Sequence, residues 1–178
     1  NPAQIFSPKG ISLAANTAWE NLWSLKHSVI EGWYNVRTDK QLRAQRVLPH
    51  INRAFRGEIV EIPAIKYEPA QVKGITGAVE YRWVKALAYP VKDDKGRIKN
   101  VVIQHEDITA QKIAEDNLRQ SEARFKAIWD STPNALALSD SEGFVIDANA
   151  AYYKLYGYSP KEVIGKNFAI IIGSFICS

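Results

Sequence analysis

Gly143-Phe144-Val145-Ile146-Asp147-Ala148-Asn149-Ala150-Ala151-Tyr152, closed by Leu155-Tyr156, decides how this chain is read. It echoes, 133 residues on, Gly10-Ile11-Ser12-Leu13-Ala14-Ala15-Asn16-Thr17-Ala18-Trp19 and Leu22-Trp23. Gly165 aligns in the same way with Gly32. Both glycines, the Ala-Asn pair, the next shared Ala and the Leu are identical, and aromatics replace aromatics at two further positions. Shared spacing of a turn glycine, an asparagine, a helix aromatic and a second glycine marks an internal repeat.

Each copy can be read locally. Ser7-Pro8-Lys9-Gly10 and Ser139-Asp140-Ser141-Glu142-Gly143 are turn chemistry, with Gly supplying a positive φ. The apolar stretches on either side, 3–6 with 11–14 and 135–138 with 144–146, predict two hairpins. Asn16 and Asn149 then fall where strand gives way to helix, and Asn is a good N-cap. Ala18, Trp19, Leu22 and Trp23 follow at helical spacing, as do their counterparts in the second copy. Ser159-Pro160-Lys161-Glu162 predicts a second short helix, with Ser159 as cap, Pro160 in the first turn and Glu162 at the third helical position.

Only the first copy continues. Residues 41–55 have helical periodicity, Pro49 marks a helix start and Gly57 ends the stretch. Three strand candidates follow at 58–67, 78–91 and 98–104, the last two joined by the turn signal Asp93-Asp94-Lys95-Gly96. The order of elements predicts an α+β fold: a five-stranded antiparallel sheet with short helices on one face, its first strands beside its last.

Composition bounds the rest. The 178 residues are 46% hydrophobic and 24% charged, which excludes disorder, collagen and a disulfide scaffold. A chain with no Met that begins at Asn1 is expected to be a piece of a longer protein. No apolar run approaches the ~20 residues of a membrane helix, and no signal peptide is visible. The lone Cys177 suits a reducing cytoplasm. The net charge of +4 comes from scattered single residues, a solvated surface rather than a nucleic-acid footprint. Phosphate loops, metal-spaced His/Glu motifs, nucleophile motifs and kinase boxes are absent, so no catalysis is expected from these residues.

The stretch from Leu155 to Asn167, Leu-Tyr-Gly-Tyr-Ser-Pro-Lys-Glu-Val-Ile-Gly-Lys-Asn, together with the Gly-x-x-x-x-Ala-Asn-x-Ala before it, resembles the first half of a PAS domain. The ending Tyr89-Pro90-Val91-Lys92-Asp93, Gly96-Arg97-Ile98 and His105-Glu106-Asp107-Ile108-Thr109 resembles the second half, with its terminal Asp-Ile-Thr. The resemblance implies a nearly complete PAS domain over residues 1–108, a connector helix over 109–131 and the N-terminal half of a second PAS domain over 132–178. A sheet missing three of five strands leaves edges unpaired, so that half is expected to need another surface. The apolar tail from Ile170 to Ser178 has no reading of its own.

Thr109 is expected to cap the connector and Pro133 to stop it. Ala114, Leu118, Ser121, Phe125 and Ile128 are spaced 4, 3, 4 and 3, the step of a coiled-coil seam. Glu115 and Arg119, and Glu122 and Lys126, stand as i,i+4 pairs. The alternatives are a helix packed on its own module and a dimeric signalling helix rooted at Asp107 and Thr109, with Leu118, Phe125 and Ile128 in its seam.

The resemblance places any ligand between sheet and helices. A flavin–thiol adduct needs a Cys just after the motif's Asn, where this chain has Phe168 and, in the first copy, Asn35. A thioester chromophore also needs a Cys, and Cys177 lies in the wrong place. Both chemistries are excluded. Haem needs an axial His. His50, before Gly57, is the one on the appropriate element, but Pro49 precedes it and the surrounding motifs of haem sensors are not evident. His105 shares a strand face with Ile103 and Asp107, and faces a ligand if that face lines the pocket. Trp83 and Tyr81 are candidate pocket walls, and Arg53, one turn after His50, is a candidate for an anionic ligand. The aromatics Trp19, Trp23, Trp33, Tyr34, Tyr81, Trp83 and Tyr89 are expected mostly in the core. The alternatives are a surface or helix-capping role for His50, a His105 that packs, satisfied, near the helix cap or faces solvent, and, for Trp83, Tyr81 and Arg53, a filled core without a cavity. His27 carries no particular signal.

The function implied is that of a sensory and dimerisation region of a signalling protein, resembling those of sensor histidine kinases. It would form a homodimer through the connector and bind a small-molecule ligand. The alternatives are a PAS region of a transcription regulator or of a cyclic-dinucleotide enzyme, or a ligand-free interaction module.

Overall fold

A computed structural model gives the fold and describes residues 1–168. Cys177 and the tail from Ile170 lie outside the described residues. The chain divides into two compact units, Asn1–Ala114 and the residues from Glu115 onward.

In the first unit, β1 (Ala3–Phe6) and β2 (Ser12–Ala15) form the expected hairpin. Gly10 has a φ of +88°, and a Cβ there would stand 2.6 Å from Asn35 Oδ1. Only glycine fits both the turn and this close crossing. Asn16 then caps α1 (Thr17–Trp23). Its Oδ1 accepts the N–H of Trp19 at 2.9 Å and that of Ala3 at 3.0 Å, while its Nδ2 donates to the Asn1 carbonyl at 2.9 Å. One side chain therefore satisfies the helix N-terminus and ties down the first strand.

The periodic stretch 41–55 is two helices, α2 (Lys40–Ala44) and α3 (Leu48–Ala54). Arg46, at a φ of +60°, separates them. Asp39 caps α2 through Oδ1, which accepts the N–H groups of Gln41 and Leu42. Pro49 sits in the first turn of α3, where a missing N–H is harmless. β3 (Val60–Tyr67) pairs with β4 (Arg82–Lys92), with a register shift between Ile62 and Ile65. Pro63 lies within that shift, and an edge strand tolerates a residue with no N–H to donate. β4 starts at Arg82 rather than at Ala78, so Tyr81 precedes the strand. Its turn into β5 (Ile98–Asp107) is held by Asp93 Oδ1, which accepts the N–H of Lys95 at 3.0 Å and of Arg97 at 2.9 Å.

The sheet order is β2-β1-β5-β4-β3, antiparallel throughout, so the first strand does lie beside the last. Phe6, Val84, Ala88, Val101 and Ile103 point from the sheet into the core, against Trp19 and Trp23 of α1 and Ile51 of α3. Aromatics divide between the two faces. Trp19 and Trp23 are buried, Trp33 is 46% exposed, and Trp83 and Tyr89 are half-buried on the outer face.

α4 runs Thr109–Ser131. Arg119 pairs with Asp116 at 3.1 Å and Lys126 with Asp130 at 3.6 Å. In the second unit, β6 (Ala137–Ser139) and β7 (Val145–Ala148) pair with each other, followed by α5 (Ala150–Tyr156) and α6 (Pro160–Val163). Asn149 repeats the role of Asn16: its Oδ1 accepts the N–H groups of Tyr152 and Leu136, each at 2.9 Å. The Ser159 N–H donates to Glu162 at 2.8 Å, one half of a capping box. Val145, Ala148, Tyr152 and Val163 form the unit's own small core. Among the described residues no helix is long and apolar enough to cross a membrane.

Replacing Asn16 with Ala should lower folding stability by about 1 kcal/mol, read as an earlier denaturant midpoint. Asn16→Asp keeps the accepting oxygen and should recover most of the loss. Equal losses in both variants would show that the oxygen carries no stability.

Candidate ligand-binding cavity

A cavity of about 70 Å³ lies between the sheet and the helices of the first unit. α1 contributes Trp19 and Trp23. The sheet contributes Gln4 of β1, Ile62, Ile65 and Tyr67 of β3, Val84 and Ala86 of β4, and Ile103 and His105 of β5. Strand alternation explains this set, because Ala86 pairs with His105 across β4 and β5 and both face inward. The small Ala86 leaves space that the aromatics on α1 do not fill.

His105 is therefore on the wall, as the alternation with Ile103 suggests. Its ring meets Trp23 edge-on, with centroids 5.9 Å apart. Burial lowers its pKa from the ordinary 6.5 to about 4, so the imidazole is neutral. Tyr67 packs on the same Trp23 at 5.4 Å. The hydroxyls of Tyr34 and Tyr67 both donate to Asp39 Oδ2, at 2.8 and 2.6 Å. Burial, with Asp39 adding to it, pushes both phenols well above their ordinary range.

The other sequence candidates lie elsewhere. Trp83 and Tyr81 do not line the cavity. Val84 occupies the inward position next to Trp83, which turns Trp83 to the outer face. Tyr81 instead lies under the Lys66 ammonium, 4.2 Å from its ring centre. His50 and Arg53 are also off the wall. On α3 the inward residues are Leu48, Ile51 and Ala54, which leaves His50 and Arg53 together on another side of the helix. Arg53 is ion-paired with Glu58 at 2.7 Å and is not free for an anion. A cavity of about 150 Å³ holds one benzene, and the enclosed space here is roughly half of that.

In the first copy the position that would have to hold a thiol is Val36, one residue after Asn35. Asn35 Nδ2 donates to the Lys9 carbonyl at 3.2 Å, and Asn167 Nδ2 to the Glu142 carbonyl at 3.2 Å. Asn35 bridges Ile11 just as Asn167 bridges Phe144. Asn35 is thus the counterpart of Asn167, and Phe168 corresponds to Val36, which lines the cavity. Neither residue carries sulfur.

Comparison with known proteins agrees with this architecture. The PAS domain family matches residues 5–110, and the PAS fold family matches residues 123–172. The chain belongs to the PAS domain family. It is 29% identical over 91 residues to sensor protein FixL of Bradyrhizobium diazoefficiens, covering 51% of this chain and 18% of that protein. It is 30% identical over 135 residues to phytochrome B of Nicotiana tabacum, covering 74% of this chain and 11% of that protein. The chain thus spans less than a fifth of either relative. A sensory box histidine kinase/response regulator structure from Burkholderia thailandensis aligns with a TM-score of 0.45 at 16% identity, covering 71% of this chain and 90% of that one.

One polar group of this PAS domain carries no signal in the sequence. His27 is buried, and its Nε2 lies 2.9 Å from Ser12 Oγ, which accepts from Gln4 Nε2 at 2.8 Å. Gln4 is on the cavity wall, so this relay leads from the cavity to His27. A visible hint is the alternation of Gln4 with Phe6, which puts a polar residue on a core-facing position.

The neutral His105 makes stability depend on pH. The unfolded chain takes up the proton below about 6.5, the folded one only near 4. Stability is therefore complete above about 6.5 and falls as pH drops toward 4, by on the order of 3 kcal/mol. His105→Phe should flatten the change in denaturant midpoint between about pH 7 and about pH 4.5. An unchanged slope would contradict a buried neutral imidazole.

Proposed function

We propose that this chain is a sensory and dimerising region of a signal-transduction protein, in which a change at the cavity is relayed through α4 to an output of the histidine kinase type. The observation that carries the reading is the root of α4. Thr109 does not cap its own helix. Its Oγ1 accepts the N–H of Trp83 on β4 at 3.0 Å, and the Ile108 N–H donates to the Trp83 carbonyl at 2.9 Å. The Thr109 N–H in turn donates to Asp107 Oδ1 at 2.9 Å, and Asp107 Oδ2 stands 3.5 Å from Arg82 Nε. The helix thus starts on the strands that carry Ala86 and His105. A ligand that favours one arrangement of those strands favours one position of the helix root, which is a population shift.

The dimer is supported by the seam. Leu118, Phe125 and Ile128 are each about 60% exposed, and no residue of α4 is buried. A stripe at coiled-coil spacing is suited to a second copy of itself. Ala114 and Ser121 in the same stripe make the association weak. The sensory role is further supported by the relative from Bradyrhizobium diazoefficiens, named a sensor protein. The paired PAS segments joined by a helix after Asp-Ile-Thr resemble the arrangement in sensor histidine kinases.

Leu118→Glu places a charge in the seam and should convert a dimer to monomer in sedimentation. A mass unchanged by the substitution overturns the seam. Thr109→Val removes the acceptor of the Trp83 N–H and should speed exchange of that amide and of those in the first turn of α4 several-fold, with the rest of the sheet unaffected.

A further inference from the structure

Two residues of the cavity wall, Trp19 and His105, each carry a buried polar atom with no protein partner. Trp19 is 5% exposed, and its Nε1 is buried without an acceptor. Nδ1 of His105 is buried without any hydrogen-bonding group. Leaving such a group unpaired is costly, so each calls for an explanation. The neighbouring polar groups are already engaged: Gln4 with Ser12, and Tyr34 and Tyr67 with Asp39.

We propose that this cavity binds a small neutral alcohol, hydrogen-bonded to Trp19 Nε1 and His105 Nδ1, with its alkyl part against the aliphatic wall. The inference rests on the reading of this cavity as the sensing site. Trp19 Nε1–H can only donate, so the ligand must present an acceptor. Nδ1 of a neutral imidazole donates or accepts according to its tautomer. A hydroxyl oxygen does both and meets either tautomer, whereas an ether or carbonyl oxygen meets only one. The ligand is neutral because no Lys, Arg, Asp or Glu lines the space. Burial also keeps His105 uncharged, so an anion would be desolvated without compensation. The size follows from the volume, which admits about three or four non-hydrogen atoms when about 150 Å³ admits benzene. Ile65, Val84 and Ile103 supply the apolar remainder of the wall.

The test is a titration of the full chain, labelled with ¹⁵N, followed at the Trp19 indole and His105 imidazole resonances. Propan-2-ol should shift both saturably in the millimolar range expected of so small a ligand. Acetate, of equal size but charged, should shift neither. Trp19→Phe keeps the ring and loses the donor, and should weaken propan-2-ol binding roughly tenfold. His105→Phe, read at the Trp19 indole, serves the same purpose if Trp19→Phe does not fold. Absence of a saturable shift means that water fills the cavity and overturns the proposal. Equal saturation by acetate overturns the neutral class. Binding unaffected by either substitution puts the alcohol elsewhere and overturns the site. These resonances report binding alone, while the seam is read from the mass of Leu118→Glu and the helix root from amide exchange in Thr109→Val, so either reading can fail without the other.

Discussion

The asparagine at the end of each hairpin is the constraint on which the rest depends. A chain leaving a strand for a helix exposes four N–H groups at the helix start. It must also hold a first strand that has few bonds of its own until distant segments arrive. Asn16 meets both needs with one oxygen, shared between the Trp19 and Ala3 N–H groups. Once α1 is fixed against β1, Trp19 and Trp23 point over the sheet and become the roof of the cavity. β1 is then in place to receive β5, which pairs from Ala3↔Gln104 to Phe6↔Val101. Asn149 solves the same problem in the second copy, where it is fully buried and also donates to the Trp129 and Asn134 carbonyls.

The cavity follows from a mismatch of side-chain size. The inward positions of β4 are Val84, Ala86 and Ala88, while α1 opposes the sheet with two tryptophans. Indoles are too rigid to fill the gap over an alanine as Met would. Polar groups around the space are treated in two ways. Tyr34, Tyr67 and Asp39 satisfy one another, and Gln4, Ser12 and His27 form a second linked set. Trp19 Nε1 and His105 Nδ1 stand outside both sets.

Whether a feature was legible depended on whether its signal was local. Turn glycines, the capping asparagines and the Asp93 turn act within a few residues, and each appears where the sequence puts it. His105 could be placed because Val101 and Ile103 alternate with it on one face. Trp83 misled because the outer face of β4 is also largely apolar, with Trp83, Leu87 and Tyr89 outside and Val84, Ala86 and Ala88 inside, and Tyr81 misled because it precedes the strand. The larger side chains looked like the core, yet the small ones face it. His50 and Arg53 share a side of α3, as their spacing implied, but Leu48, Ile51 and Ala54 take the inward side. The link between His27 and Gln4 joins segments far apart in sequence, so nothing short-range announces it.

The position of the cavity along the β4–β5 hairpin decides where a disturbance can go. Ala86 and His105 are paired near the open end, two residues from Val84↔Asp107 and the root of α4. The other end is closed by Asp93, which bonds to the Lys95 and Arg97 backbone and pairs with the Arg97 side chain at 2.9 Å. A slip in register would turn every core residue of the strand outward, so the strands cannot slide past each other. What remains is a change of twist or separation, and it is resisted at the tied end. At the open end the strands are held by the Trp83–Ile108 and Trp83–Thr109 bonds, which belong equally to the sheet and to the helix. On the proposed reading, a molecule that draws His105 toward Trp19 would act on the helix root before it acts on the turn.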